Sequence, residues 1–157
     1  MATLALGACR PGVGTDRDDR PATHEYTIAL DSLRMRDGVW LARADGSLDR
    51  RIVEAPYDPR HHRFNDGRCD PAGRFVVGTM NENRDAPSAA LYRIDADGRC
   101  TGVLSGMTIS NGLAWSPDHK IFYHIDTPMR QVRAFDYDLD TGNISNPRVA
   151  VEVPASM

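Results

Sequence analysis

The segment Arg63-Phe64-Asn65-Asp66-Gly67 places three polar side chains of different chemistry within five positions. Guanidinium, amide and carboxylate groups of this kind can orient a polar ligand in a cleft. Asn, Asp and Gly are also typical of tight turns, because they adopt positive φ at little cost. Taken alone, the segment predicts a hairpin turn, and a binding site that includes Arg63 and Asn65 is the alternative.

Three further groups of polar residues could take part in chemistry. The tripeptide SNG at residues 110–112 is an ordinary turn sequence when it is taken alone. The neighbours His61 and His62 lack the spacing of metal ligands, so a loop is the preferred interpretation. His124 and Asp126 fall on one face of a predicted strand, where we expect a buried, hydrogen-bonded pair.

The elements that must position these residues are short strands. From residue 26 onward, alternating runs are separated by turn signals, among them Asp-Gly pairs at 37–38, 45–46 and 97–98 and a DPAG turn at 70–73. No segment after residue 36 shows a helical period. The sequence therefore predicts an all-β chain.

Two different turn-and-strand elements recur in the same order. DPAGRFVVGTM and SPDHKIFYHID open with prolines at 71 and 117, and YRIDADG and FDYDLDTG close with glycines at 98 and 142. A repeat of about 45 residues built of four short strands is the signature of a β-propeller blade. A β-sandwich with evenly spaced turns is the alternative. The fixed order favours the propeller, and the chain has room for about three blades or fewer.

The repeat and the composition divide the chain in two. Residues 1–24 contain many charges, Gly and Pro without any period, so an irregular N-terminal segment is predicted. Residues 25–157 are predicted to form an incomplete β-propeller. Because an open arc of blades leaves strand edges uncovered, the sequence also predicts self-association through those edges.

The composition argues against several classes of function. The net charge of −3 comes without a basic patch, which argues against nucleic acid as a partner. No apolar run approaches the roughly 18 residues that span a bilayer, so no membrane partner is expected. The cysteines, at 9, 69 and 100, form no C-x-x-C pair, which predicts reduced thiols. The opening LALGAC is a poor lipoprotein signal, because its apolar core is short and no basic residue precedes it. We therefore predict a cytoplasmic protein.

Three stretches carry a family resemblance. RFNDGRCDPAGRFVVGTM, TISNGLAWSPDHKIFYHIDT and VRAFDYDLDTGNISNPR resemble the family of senescence marker protein, also called regucalcin, and the bacterial gluconolactonases. The likeness runs from Val39 to Val153 and is faint over residues 26–38. It implies a six-bladed propeller that binds one divalent metal in its central channel and hydrolyses sugar lactones. Residues 25–157 would then be parts of blades two to four.

The resemblance also implies roles for individual residues. Arg63 and Asn65 match family residues that contact substrate hydroxyls. Asn111, in the SNG motif, matches a metal ligand, and Asp66 lies beside the channel in the corresponding motif. A further substrate-contacting acid of the family falls at Asn83 by counting, with Glu82 next to it. The rest of the family site is a first-blade Glu and a later Asp, thought to be the general base, and neither has a counterpart in this sequence, so the catalytic residue is unknown.

These observations lead to two hypotheses. The first is a metal-dependent sugar-lactone hydrolase, a carboxylic ester hydrolase, using Ca²⁺, Zn²⁺, Mg²⁺ or Mn²⁺. Since one neutral Asn carbonyl holds such an ion poorly, we expect the 157-residue chain to be inactive or incomplete by itself. The second is a non-catalytic propeller fragment that functions only by association with another chain. A fragment produced by a gene-model error is a third interpretation of the chain.

Overall fold

The computed structural model describes residues 27–29, 36–43, 45 and 47–154. The predicted irregular segment, residues 1–24, lies outside these residues. A short 3-10 helix, Thr127–Met129, accompanies the strands. The strands of the described part are β1 (Thr27–Ala29), β2 (Gly38–Ala42), β3 (Leu48–Glu54), β4 (His62–Cys69), β5 (Phe75–Asn81), β6 (Ala89–Ile94), β7 (Cys100–Met107), β8 (Ser110–Trp115), β9 (Ile121–Asp126), β10 (Gln131–Tyr137) and β11 (Ile144–Glu152).

These strands form three antiparallel sheets. Their orders are β1-β2-β3, β4-β5-β6-β7 and β8-β9-β10-β11, so each sheet is a meander of consecutive strands. The two four-stranded sheets are the repeated unit that the sequence predicted, and they confirm the all-β architecture. Within the part of the chain that the structure describes, no helix is long and apolar enough to cross a membrane.

The hydrophobic core lies between neighbouring sheets. Alternate residues of β5 point to opposite faces, so Val76 packs towards the third sheet while Phe75 and Val77 pack towards the first. Every residue of β5 is buried, as expected for a strand covered on both faces. The larger cluster comprises Val76, Ala89, Leu91, Met107, Leu113, Phe122, Phe135 and Tyr137, and the smaller one Val39, Val53, Phe64, Phe75, Val77 and Ile94.

The predicted DPAG turn connects two sheets. Asp70 Oδ1 accepts the backbone N–H groups of Ala72 and Arg74, both at 2.9 Å, and Gly73 adopts φ +86°. Asp70 Oδ2 accepts the Nε–H of Arg74 and the hydroxyl of Tyr137, both at 2.6 Å. The Arg74 guanidinium also donates to the carbonyl of Leu139. A local turn of the second sheet is thereby fastened to the β10–β11 end of the third.

The hairpin-turn interpretation of residues 63–67 is wrong. These residues lie inside β4, and the pairing of β4 with β5 is irregular between Phe64 and Gly67. Residues 110–112 likewise lie inside β8, whose pairing with β9 is irregular between Asn111 and Ala114. The residues that favour tight turns are also those that allow a β-bulge, so both turn-like motifs are irregular stretches of strand. His62 also belongs to a strand rather than a loop.

The prediction of reduced thiols is wrong for Cys69, which is disulfide-bonded, whereas Cys100 is a free cysteine. Spacing rules detect dense cysteine patterns such as C-x-x-C, and Cys69 belongs to no such pattern. Partial burial raises the pKa of the Cys100 thiol. A raised pKa keeps this thiol protonated and unreactive.

Candidate functional site

Asn65 and Asn111 are brought together where two sheets meet. Asn65 lies on β4 and Asn111 on β8, the first strands of the second and third sheets. The Asn65 Nδ2 group donates to Asn111 Oδ1 and to the carbonyl of Ser110, both at 2.9 Å. The residue predicted to contact substrate and the residue predicted to bind metal are therefore direct neighbours.

The two strand irregularities face each other and fix this arrangement. Asp66 Oδ2 accepts the backbone N–H of Gly112 at 2.8 Å. Gly112 has φ +62°, and a Cβ at this position would lie 2.6 Å from Ile125 Cδ1, so a larger residue would be strained there. Asp66 thus links the two strands beside the asparagine pair.

Asn111 is also held from its other side. Its Nδ2 group donates to Thr127 Oγ1 at 2.7 Å. Because the amide nitrogen faces Thr127, the oxygen Oδ1 points to Asn65 and away from the helix Thr127–Met129. The Asn111 amide therefore presents one oriented oxygen on the side of β4.

Arg63 lies two residues before Asn65 on β4. Its Nε atom is 3.4 Å from Glu82 Oε1, and its Nη1 group donates to the Phe64 carbonyl at 3.1 Å. Glu82 also pairs with Arg36. The sequence did not predict that Glu82 pairs with Arg63, nor that Arg36 takes part. A contact between Arg36, before β2, and the loop after β5 joins distant parts of the chain, and no local motif indicates it.

Asn83, at the position of the family acid, is exposed. Its backbone N–H donates to Asn81 Oδ1 at 3.0 Å. Of Glu82 and Asn83, the two residues considered for the position of the family acid, Glu82 is the one whose side chain contacts Arg63.

His124 and Asp126 are both buried, as the sequence predicted, but among the described residues each is hydrogen-bonded to other groups and no hydrogen bond joins the two. His124 Nε2 lies 2.8 Å from Ser110 Oγ, and the Asp126 carboxylate accepts the backbone N–H groups of Thr108 and Ile109. Burial lowers the pKa of His124 to about 4. A Ser–His contact could suggest a nucleophile, but Ser110 is 0% exposed and no substrate can reach it. The Ser110–His124 hydrogen bond therefore has a structural role, joining the first residue of β8 to β9.

The described residues do not by themselves fit a divalent metal. Among them, no group of three or more His, Cys, Asp or Glu side chains could hold an ion. Calcium takes about six to eight oxygen ligands, including carboxylates, whereas Asn111 contributes a single neutral oxygen.

Comparison with known proteins places this arrangement in a family. The family described as SMP-30/Gluconolactonase/LRE-like region matches residues 31–157. The chain belongs to this family. The 6-deoxy-6-sulfogluconolactonase of Pseudomonas putida is 42% identical over 106 residues, which are 68% of this chain and 36% of that protein. Regucalcin of Sus scrofa is 50% identical over 97 residues, 58% of this chain and 32% of that protein.

A solved structure confirms the partial propeller. The chain superposes on regucalcin, a calcium-binding protein from Agrobacterium tumefaciens strain C58, with a TM-score of 0.66 and 29% identity. The match covers 73% of this chain and 39% of that one. The chain thus spans less than half the length of the curated relatives that it matches.

Proposed function

We propose that this chain carries the substrate-binding segment and one metal ligand of a sugar-lactone hydrolase. Arg63 and Asn65 bind hydroxyl groups of the lactone, and Asn111 Oδ1 is one ligand of a divalent cation, Ca²⁺, Zn²⁺, Mg²⁺ or Mn²⁺. The observation that carries the proposal is the 2.9 Å hydrogen bond between Asn65 and Asn111. This bond brings two separate motifs into one site, on the strands β4 and β8.

The family supports the choice of substrate class. Relatives of this chain include a protein named 6-deoxy-6-sulfogluconolactonase. Amide and guanidinium donors at fixed positions match a ligand with several hydroxyl groups, because each donor selects one oxygen and together they orient the ring. The role of Arg63 and Asn65 is thus to hold the lactone in a single orientation.

The remaining metal ligands and the general base belong to residues outside the described part. We therefore propose that the 157-residue chain by itself binds a lactone weakly and does not turn it over. Four statements stay predictions. They are that residues 25–157 contain parts of blades two to four, that the chain associates through its strand edges, that it is a fragment, and that it is cytoplasmic.

The first experiment is an NMR titration of the purified, ¹⁵N-labelled chain. The ligands are D-glucono-1,5-lactone and a six-membered cyclic ether with the same hydroxyl groups but no ester. We expect the side-chain NH₂ signals of Asn65 and Asn111 to shift with either ligand. The signal of Asn143, an exposed asparagine on the β10–β11 turn, is the internal control and should not move.

A turnover assay completes the test. Lactone hydrolysis is followed with each of the four cations and with a chelator, against the spontaneous rate in buffer. Hydrolysis well above buffer would show that the chain is active by itself, contrary to the expectation. Unchanged Asn65 and Asn111 signals at millimolar ligand would overturn the proposed binding site.

A further inference from the structure

Glu82 lies between two arginines that come from different parts of the chain. Arg36, which precedes β2, binds it through both guanidinium Nη atoms, with Nη2 2.9 Å from Oε1 and Nη1 2.5 Å from Oε2. Arg63, on β4, approaches Oε1 through Nε at 3.4 Å. The Glu82 and Arg63 side chains are 25% and 28% exposed. The Arg63–Glu82 pair is therefore partly shielded from solvent, whereas Arg36, with 46% of its side chain exposed, approaches from the solvent side.

The backbone of Glu82 is fixed independently of its carboxylate. Its N–H donates to the His61 carbonyl at 3.0 Å, which ties the end of β5 to the start of β4. The adjacent buried residue Asn81 organises the loop that follows, donating to Asp85 and Ser88 and accepting the N–H of Arg84. The backbone of Glu82 is thus held in place by hydrogen bonds, so its carboxylate can restrict the position of a flexible arginine side chain.

The two contacts of Arg63 leave a defined part of its guanidinium available. Nε faces Glu82, and Nη1 donates to the Phe64 carbonyl. Among the described residues Nη2 has no hydrogen-bond partner. A guanidinium held on two sides loses little rotamer freedom when its remaining N–H groups bind a ligand.

We propose that Glu82 is a positioning residue that orients Arg63 for the lactone, with Arg36 as the cation that balances the Glu82 charge. Glu82 does not itself contact the substrate. The bidentate Arg36 pair neutralises the carboxylate, so Arg63 keeps a net positive charge towards the ligand. This inference rests on the proposed function, because it assigns Arg63 to substrate binding.

The geometric half of the proposal is tested without any ligand. The arginine Nε–H resonances of the ¹⁵N-labelled chain are compared between the wild type and Glu82→Gln. We expect the Arg63 and Arg36 signals to shift, because the carboxylate that both approach is lost. Glu152→Gln is the matched control, since Glu152 is an exposed residue on β11, the outer strand of the third sheet, and its Oε1 accepts from Gln131 Nε2 rather than from an arginine. Unchanged Arg63 and Arg36 signals in Glu82→Gln would overturn the proposal.

The binding half uses the same cyclic polyol. Glu82→Gln should raise its Kd about fivefold, the effect of a weak charged interaction of about 1 kcal/mol, while Glu152→Gln leaves it unchanged. Shifted arginine signals with an unchanged Kd would overturn the positioning role. If the wild type binds no polyol, the proposed function fails and the role in binding fails with it, while the arginine signals still report whether Glu82 fixes Arg63. Arg36→Met, at an exposed side chain, is the second variant should Glu82→Gln not fold, and it should also shift the Arg63 signal.

Discussion

Asn65 and Asn111 stand 46 positions apart in the sequence, yet their side-chain amides share a hydrogen bond of 2.9 Å. The bond joins the first strands of two neighbouring sheets at the point where both strands are irregular. The Asp66 carboxylate, bonded to the Gly112 N–H, makes a second connection between the same strands. The proposed site is thus also a structural junction, and substitutions there should change stability as well as binding.

The Asn65 amide can be tested with an isosteric change. In Asn65→Asp, a carboxylate oxygen replaces Nδ2, which lies 2.9 Å from two acceptors, the Ser110 carbonyl and Asn111 Oδ1. We expect Asn65→Ala to lower the free energy of unfolding by about 1–2 kcal/mol through lost hydrogen bonds. Asn65→Asp should lower it further, because two acceptors then face a charge. Urea denaturation followed by circular dichroism measures both.

The matched control for this change is Asn143→Asp. Asn143 Oδ1 already accepts a hydrogen bond from Arg93 Nη1 at 3.3 Å. Asn143→Asp should therefore leave the free energy of unfolding unchanged or raise it slightly. Equal losses for Asn65→Asp and Asn143→Asp would contradict the assigned direction of the Asn65 bond.

The strand content of the fold follows from local sequence, but the nature of the site does not. The Asp-Gly, DPAG and Ser-Pro turn signals predicted the repeated meanders correctly, because turn residues at regular spacing leave only short strands between them. Residues 63–67, predicted as a hairpin turn, lie inside β4, and the turn-like tripeptide at 110–112 lies inside β8. Asn, Asp and Gly serve both turns and bulges, and the choice depends on pairing with β5 and β9, which local sequence does not contain.

Side-chain contacts between different sheets also could not be predicted from the sequence. Asp70 and Tyr137 are 67 positions apart, and Arg36 and Glu82 are 46 apart. Each pair depends on how neighbouring sheets are placed. The family resemblance pointed to Arg63, Asn65 and Asn111, and only the coordinates show that Glu82 forms an ion pair with Arg63.

The Asp70–Tyr137 bond should stabilise the junction between the second and third sheets. Tyr137→Phe keeps the ring, including its edge contact with Trp115 at 5.8 Å between centroids, and removes only the hydroxyl. The buried Asp70 carboxylate then loses a 2.6 Å donor, so we expect a loss of about 1–3 kcal/mol in the free energy of unfolding. Tyr123→Phe, at a half-buried tyrosine outside this network, is the control in the same urea titration. Losses of equal size in both variants would show that the hydroxyl bond contributes nothing specific.

His124 should make stability depend on pH below neutrality. Burial holds its pKa at about 4 in the folded chain, against an ordinary value of 6.5, with Asp126 raising it and Arg133 lowering it. Between these values the unfolded state binds more protons, so stability is lost as the pH falls from 6.5 towards 4. The lost free energy reaches about 3 kcal/mol. Thermal midpoints measured across this range should fall less steeply in His124→Gln than in the wild type. In His119→Asn, at an exposed histidine with φ +57°, the slope should match the wild type, and a wild-type slope in His124→Gln would contradict the assignment.

Gly78 should tolerate no side chain, because β5 passes directly against Ser110 beside the proposed site. A Cβ on Gly78 would lie 1.9 Å from Ser110 Oγ and 2.3 Å from Ser110 Cβ. Gly78→Ala should therefore destabilise the chain by about 2–3 kcal/mol through overpacking. Gly102→Ala, whose Cβ would meet nothing nearer than Tyr92 Cε1 at 4.0 Å, is the control.

Combining Gly78→Ala with Ser110→Gly removes both close contacts and leaves Leu91 Cδ1 at 3.5 Å, an ordinary contact. In urea denaturation the double variant should be more stable than Gly78→Ala alone, although it loses the Ser110–His124 bond. A double variant less stable than Gly78→Ala would show that the clash with Ser110 is not the cause.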